Sequence, residues 1–451
     1  MIKKTVSVSA LVMASALSCP AAAQSAKDFD ELRLEIKRLR EEVDELKSRQ
    51  PKAIATTSAA APSMAAPATA VASSNAPAED VGRAIPLPSQ QPGNPRGTAT
   101  RMSTIPGGLL VPGTETSVHL YGNVEGHAIH DLKPSSPTDN FTDLTFQPLD
   151  NSGAQTGRTK FTAETSRLGF ETSTPGPAGE LKTKLEMDFY SYNSGNRNRL
   201  RLRQAYGEYA GWLIGQTWST FMDLDDLPET VDFNGPIGAP FSRRMMVRYA
   251  YEDAKAGYKF TVALEDPQDQ AQLGAINSAN ERVPELVLRY DQTFGWGTLN
   301  IRGLTHEKRS ATATRRGYGL GIGGNYKLSD KDLLMAQYTR VDGDVDQLYG
   351  SNGYGIAADG TISFDRNQGF VFGYARAFSQ RLRGTAAFGM NKAETAVAVD
   401  NRRLREIFLN LIYSPIKGVE LGAEYIYGTR RTFAGDTGTL SRFDLMGRYS
   451  F

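Results

Sequence analysis

Ser441-Arg442-Phe443-Asp444-Leu445-Met446-Gly447-Arg448-Tyr449-Ser450-Phe451 ends the chain, and its alternation decides the fold. Phe443, Leu445, Gly447, Tyr449 and Phe451 share one face of an extended strand, opposed by Arg442, Asp444, Met446, Arg448 and Ser450. Side chains of a strand point alternately to its two faces, so one side is apolar and the other carries charge. The same texture fills Ser117–Ile129, where Val118, Leu120, Val124 and Ala128 oppose His119, Tyr121, Asn123, Glu125 and His127.

Working outward from these two ends, period-two alternation recurs from Thr116 to Phe451, cut by turns. Sixteen strands are predicted, near 117–130, 158–173, 179–192, 198–209, 212–218, 243–252, 256–265, 284–294, 297–306, 316–328, 332–341, 367–378, 382–393, 404–413, 418–429 and 441–451. Short turns such as Pro175–Gly179, Gly295–Gly297, Ser329–Lys331 and Ser414–Gly418 alternate with long polar stretches at 131–157, 219–242, 266–283, 307–315, 342–366, 394–403 and 430–440. A soluble sandwich has no reason to gather its long loops at one end, whereas a membrane barrel with periplasmic turns and extracellular loops requires it. The fold class expected is therefore all-β, a 16-stranded antiparallel transmembrane β-barrel over 116–451. A terminal aromatic on such a strand resembles the signal read by the barrel-assembly machinery, which assigns Tyr449 and Phe451 to assembly.

The N-terminus agrees. Lys3 and Lys4 precede an apolar run from Val6 to Leu17, and Ala21-Ala22-Ala23 supplies the small residues of a cleavage site, so 1–23 read as a signal peptide cut after Ala23. The apolar run falls short of the roughly 20 residues that a spanning helix needs. An exported chain without such a helix enters a membrane as a barrel. The one cysteine, Cys19, precedes the cut, and Ala16-Leu17-Ser18 fits a lipidation box poorly. The mature chain then has neither disulfides nor thiolate chemistry.

Between signal and barrel lie two further segments. In 27–49, Phe29, Leu32, Ile36, Leu39, Val43 and Leu46 alternate spacings of three and four, the a and d positions of a short α-helical coiled coil. Asp28, Glu35 and Glu42 at g can pair with Arg33, Arg40 and Lys47 at e, which favours a parallel register. The alternative is a solvated amphipathic helix packed on its own protein. Residues 50–113, rich in Ala, Pro, Ser, Thr and Gly, have no sustained hydrophobic period and read as a disordered or polyproline-like linker. Arm and linker are placed in the periplasm, with the barrel in the outer membrane.

Lys and Arg number 51 against 50 Asp and Glu, so no excess charge points to nucleic acid. Asp342, Asp344 and Asp346 begin like a calcium loop but lack its glycine and terminal glutamate. The four histidines have no metal-ligand spacing, and Gly319, Gly321, Gly323 and Gly324 sit in a strand pattern as packing glycines. No Ser-His pair stands out. No cofactor, no metal and no enzymatic activity are expected.

Arg199, Arg201 and Arg203 alternate with Leu200 and Leu202. Arginine facing mid-bilayer lipid costs about 2–4 kcal/mol, so the three are expected in the lumen, as a ladder that binds carboxylates bidentately. An arginine row at the rim, contacting lipopolysaccharide, is the alternative. Gln204 and Glu208 interrupt the leucine face, as a bulge or a subunit contact would. Arg167, Arg244, Arg248, Arg289, Arg302 and Arg448 also fall at alternating positions, where generic lumen polarity explains each one.

Several stretches resemble known porins. Val118-His119-Leu120-Tyr121-Gly122 and Ser166-Arg167-Leu168-Gly169-Phe170-Glu171 are similar to the first two strands of general trimeric porins. RLRQAY (201–206), WLIGQTWSTFMD (212–223) and PETVDFNGPIG (228–238) resemble the DcaP-like porin family, which also carries a coiled coil ahead of its barrel. The order of parts agrees over the mature chain, and loops outside these motifs match loosely. The resemblance implies a homotrimer of sixteen-stranded barrels passing small, often anionic or dicarboxylic, solutes. It also implies that the third loop folds into the lumen, which makes Asp223, Asp225, Asp226, Glu229 and Asp232 a constriction facing the basic wall. An exposed acidic surface loop is the plainer reading of those residues. Competing functions are a general or sugar-selective porin and a structural tether between outer membrane and cell wall.

Overall fold

Sixteen strands form where the alternation runs unbroken: β1 (Ser117–Asp131), β2 (Arg158–Thr162 and Arg167–Gly176), β3 (Gly179–Asp188), β4 (Arg201–Tyr209), β5 (Trp212–Trp218), β6 (Arg243–Asp253), β7 (Tyr258–Glu265) and β8 (Glu285–Phe294). They continue with β9 (Gly297–Arg309), β10 (Thr314–Ser329), β11 (Asp332–Asp342), β12 (Arg366–Ala377), β13 (Leu382–Ala393), β14 (Asn401–Tyr413), β15 (Val419–Thr432) and β16 (Thr437–Ser450). Each pairs antiparallel with the next, and β1 pairs with β16 from Asn123↔Ser450 to Asp131↔Arg442, which closes the barrel. The computed structural model describes residues 103–135, 140–190, 199–267, 281–344, 347–348, 353–394 and 401–451. The expected signal peptide, the coiled coil and most of the linker lie outside them.

Closure extends one residue past the last strand. Phe451 N–H donates to Gly122 O (3.0 Å) and Gly122 N–H donates to Phe451 O (3.1 Å), so the terminal residue still belongs to the ladder. Its ring, like that of Tyr449, lies outside and half exposed.

β2 is a single barrel strand interrupted at Ala163–Ser166, since both of its halves pair with β1. Ser166 mends the gap: its Oγ accepts from Glu125 N–H (3.0 Å) and donates to Glu125 O (3.1 Å). Tight turns join strands at the end where Ser117 and Phe451 lie. Ala210 (φ 50°) and Gly211 (φ 82°) form a two-residue connection between β4 and β5, the left-handed pair that a twisted hairpin selects.

The barrel is apolar outside and polar inside. Leu120, Ile214, Leu320 and Leu445 are 56–60% exposed, whereas Arg203, Arg244, Arg302 and Asp444 are 0–1% exposed. Leaving a large apolar side chain in water forfeits about 1.5–3 kcal/mol, which rules out an aqueous environment for so many of them. Near the tight turns, outward aromatics touch from strand to strand: Trp212–Tyr249 (ring centroids 4.9 Å), Phe294–Trp296 (4.7 Å) and Trp296–Tyr326 (5.6 Å). Such a girdle marks a membrane interface.

Three expectations need correction. The connections expected as long at 307–315 and 430–440 are short, because β9–β10 and β15–β16 continue pairing to Arg309↔Thr314 and Arg431↔Thr437. Backbone pairing does not require an apolar side chain, so polar strand ends escaped the alternation test. The linker's last part also joins the sheet, with Leu109–Leu110 pairing on Val118–Ser117. Finally, the loop after β11 contains its own hairpin, Tyr354–Ile356 with Ile362–Phe364.

Candidate functional site: the lumen and its third loop

Residues 219–242, between β5 and β6, are held against the inner wall along much of the barrel. Glu265 on β7 takes the loop's first turn, accepting from Ser219 Oγ and Thr220 N–H (both 2.6 Å). Arg302 on β9 donates to Phe221 O (2.9 Å) and Arg289 on β8 donates to Met222 O (2.6 Å). Phe221 itself packs with Ala263, Val287, Leu304, Val341 and Leu348. Further along, Glu424 on β15 accepts from Val231 N–H (3.0 Å) and Asp232 N–H (2.8 Å), and Glu406 on β14 accepts from Ile237 N–H (2.9 Å). Three wall carboxylates, Glu265, Glu406 and Glu424, thus satisfy backbone donors that a loop buried in a barrel would otherwise leave unpaired.

The wall beneath is glycine. A Cβ on Gly373 would meet Pro228, one on Gly389 would meet Pro236 and Ile237, one on Gly422 would meet Val231, and one on Gly323 would meet Asp223. These inward glycines of β10, β12, β13 and β15 leave the room in which the loop lies flat. Gly238, at φ +101°, faces the carbonyls of Phe370 and Met390 at the loop's far turn.

Three of the five loop acids are fasteners. Asn300 Nδ2 donates to both Asp223 Oδ2 (2.7 Å) and Asp226 Oδ2 (3.0 Å), and Asn325 Nδ2 donates to Asp226 Oδ1 (2.7 Å). The guanidiniums of Arg289 and Arg302 beside Asp223 hold its carboxyl below the usual range. Burial and the neighbouring Asp223 push Asp226, on the loop and not on a spanning strand, up to about 8. Asp232 accepts from Thr142 N–H (2.8 Å) and Thr142 Oγ1 (2.9 Å) of the first loop. All three are 0–2% exposed, so the acidic face expected from the sequence reduces to Asp225 and Glu229. Glu229 is itself paired with Arg383 on β13 (2.6 Å), which also reaches Glu420 (2.6 Å).

The loop's middle faces an open recess. Leu227–Gly235 and Phe241 form one side, and Asn123, Glu125, Arg167 and Arg448 of β1, β2 and β16 the other. Arg448 Nε lies 2.6 Å from Glu125 Oε2, and Glu125 Oε1 meets His127 Nε2 at 2.8 Å, while His127 Nδ1 lies 3.0 Å from Asp444. Next to this chain stand the arginines singled out in the sequence. Arg201 makes a bidentate pair with Asp188 (2.9 and 2.7 Å), and Arg203 bridges Glu186 (2.7 Å) and Asp188 (2.8 Å). Arg201 also stacks on Tyr190 (4.8 Å) and reaches the loop's Phe233 (5.8 Å).

Arg199, Arg201 and Arg203 are not equivalent rungs. Arg199 precedes β4 and is exposed, the Arg201 side chain is 31% exposed, and that of Arg203 is 2% exposed. Leu200 and Leu202 face outward as expected. The strand bulges here. Met187 pairs with Leu202 and Glu186 with Gln204, so Arg203 is the extra residue and the inward phase shifts to Gln204, Tyr206 and Glu208. Arg167 lies 3.8 Å from Glu186. Arg244 is fully buried near the loop end, between Glu285 (3.9 Å) and Asp344 (3.8 Å), away from the recess, and Arg248 sits on β6 opposite Leu213.

Sequence reasoning missed Arg243, whose guanidinium lies 3.6 Å over the Trp218 ring, as well as Arg383 and the acids that balance the arginines. Glu186 and Asp188 were visible as every-other-residue acids in β3, and that was the available signal. Among the described residues no group of His, Cys, Asp and Glu has a geometry that would hold a metal.

Solved structures similar to this chain include an outer membrane channel. The outer membrane channel DcaP of Acinetobacter baumannii shares 28% identity at a TM-score of 0.70, covering 76% of this chain and 99% of that one. OmpT of Vibrio cholerae (13%, TM-score 0.51, 76% and 100% covered) and the anion-selective porin from Comamonas acidovorans (12%, 0.51, 75% and 100%) share the fold. Among curated protein sequences no match is found. Residues 109–451 match the family described as DcaP outer membrane protein, and the chain belongs to that family.

Proposed function

We propose that the barrel is a passive diffusion porin for small polar solutes, with a preference for anions bearing carboxylates, and that it works as a homotrimer. The observation that carries the anion preference is the partly exposed guanidinium of Arg201, with Arg167 and Arg448 close by along the recess. A carboxylate passing between loop and wall can exchange water for a bidentate contact with Arg201 while that residue keeps Asp188 as its resting partner. Among the described residues, the recess between the loop and Asn123, Glu125, Arg167 and Arg448 is the side of the lumen left to the solute. Reversal potential across a salt gradient in planar bilayers tests the sign directly. An anion-selective potential is expected, and a cation-selective one overturns the preference without touching the channel assignment.

A general or sugar-selective porin is the second reading, favoured by the near balance of wall charge, since Glu125, Glu186 and Asp188 each pair with an arginine. A neutral sugar permeating as fast as a carboxylate of equal size would decide for it. The tether reading concerns residues 27–113, of which 103–113 are described. Deleting 27–113 distinguishes it, because a channel keeps conducting and a tether loses its attachment.

A further inference from the structure

At the long-loop end of the barrel the outer surface of β13, β14 and β15 carries a group of arginines and a lysine that the channel does not use. Lys392 on β13 is in register with Arg403 on β14, which is in register with Arg431 on β15. Arg405, two residues further along β14, faces the same way as the lipid-facing Ile407, Leu409 and Leu411. A bulge places Arg402 beside them: Asn401 pairs with Thr432 and Arg403 with Arg431, leaving Arg402 as the extra, exposed residue.

None of these five side chains lies within ion-pair distance of a carboxylate among the described residues. The contrast with the adjoining strands is sharp. In the same outward row, Arg340 and Arg366 both pair with Asp342 (3.5 Å each), and Arg366 also reaches Glu394 (4.0 Å). Neighbouring strands lie about 4.8 Å apart, so Lys392, Arg403 and Arg431 sit within about 10 Å, near the screening length of roughly 8 Å. Like charges so close repel unless something anionic sits among them.

The patch also sits at a defined depth. The next outward rung after Arg405 is Phe388, Ile407 and Tyr427, the start of the apolar band. Arginine costs about 2–4 kcal/mol at the midplane but only about 0–1 near the interface. An outward cation cluster touching the edge of that band, on the loop side, lies where the headgroups of the outer leaflet are. We propose that Lys392, Arg402, Arg403, Arg405 and Arg431 form a binding site for the phosphate groups of a phosphorylated glycolipid of the outer leaflet. The apolar rungs below would receive its acyl chains, which is what separates such a lipid from free phosphate as the ligand.

Native mass spectrometry of the full chain in detergent, titrated with bisphosphorylated lipid A and with the same lipid after dephosphorylation, tests the site. The parent should bind the phosphorylated form roughly tenfold more tightly or better, given the attraction of each basic residue near an anionic surface. Arg403→Gln/Arg405→Gln/Arg431→Gln should lose most of that difference, and Arg340→Gln/Arg366→Gln should keep it. Equal affinity of the parent for the two lipids overturns the proposal, as does a triple variant that keeps the parent's preference. Displacement of the phosphorylated lipid by inorganic phosphate at matched phosphate concentration also overturns it, since the acyl chains would then contribute nothing. If the triple variant does not fold, the parent's own comparison of the two lipids still decides.

Discussion

Arg201→Gln and Glu229→Gln should move ion selectivity in opposite directions. Arg201 presents a 31% exposed side chain beside the recess, and Glu229 presents 17% on the loop opposite, paired with the 33% exposed Arg383. A unit charge about 6 Å from a passing ion interacts by roughly 0.7 kcal/mol at the dielectric of water. Screening over about 8 Å roughly halves this to about 0.3 kcal/mol. With RT near 0.6 kcal/mol, that is about 1.7-fold for an anion and the same factor the other way for a cation, hence roughly a threefold change in the anion-to-cation permeability ratio. Arg201→Gln should lower the ratio by about that factor, and Glu229→Gln should raise it by a comparable or smaller one, because Glu229 is less exposed and its amide replacement still accepts from Arg383. The triple change at Arg199, Arg201 and Arg203 should exceed the single one only modestly, since Arg203 is buried against two acids. Reversal potentials in planar bilayers, with folded barrel confirmed by its heat-modifiable mobility, give the ratio. Shifts of the same sign in both variants, or none in either, would refute the reasoning that these two side chains face the conducting path.

Deleting Phe451 should lower the amount of folded barrel in the membrane, since it removes two seam hydrogen bonds worth about 1 kcal/mol each; unchanged insertion kinetics would contradict this. Gly389→Leu should drive the loop at Pro236 and Ile237 off the wall into the lumen and reduce single-channel conductance, and a folded variant conducting like the parent would refute the glycine argument. Asp226→Asn should flatten the pH dependence of unfolding. A carboxyl raised to about 8 in the folded state binds its proton more tightly there than in the unfolded chain, so the parent loses stability as pH rises from about 4 to about 8. Equilibrium unfolding in denaturant across that window should show the slope in the parent and its loss in the variant.

The barrel was legible because membrane strands must alternate. Every one of the sixteen expected strands is present, and most ends agree within three residues. Misplaced boundaries cluster at the loop end, where β9, β10, β14, β15 and β16 extend beyond the expected limits. Outside the hydrocarbon no lipid face has to be apolar, so the pattern fades while the hydrogen bonds continue. The wall arginines were legible as positions but not as partners. Arg201 and Arg203 find Asp188 and Glu186 on the adjoining strand, and register across strands is set by turn length and by the bulge at Arg203. That bulge left only one trace in the sequence, the polar Gln204 and Glu208 where leucine's phase predicted apolar residues.

The third loop's path was invisible for a different physical reason: it is written in side chains that are missing. Gly323, Gly373, Gly389 and Gly422 stand on four different strands, scattered through a hundred residues, and line up only once the sheet is closed. Each looks locally like an ordinary weak point of a strand. Together they form a shallow lane, with Glu406 and Glu424 as acceptors for the loop's N–H groups and Asn300 and Asn325 as donors to its carboxylates. An acidic loop that lies in such a lane spends most of its charge on being held. The recess it leaves open is lined by Arg167 and Arg448, with Arg201 beside its Phe233, so on the proposed reading the lane would decide which charges a solute meets. On the proposed channel reading, loop placement would set selectivity as much as pore-wall composition does, and changes on the glycine strands should alter the reversal potential without touching a charged residue.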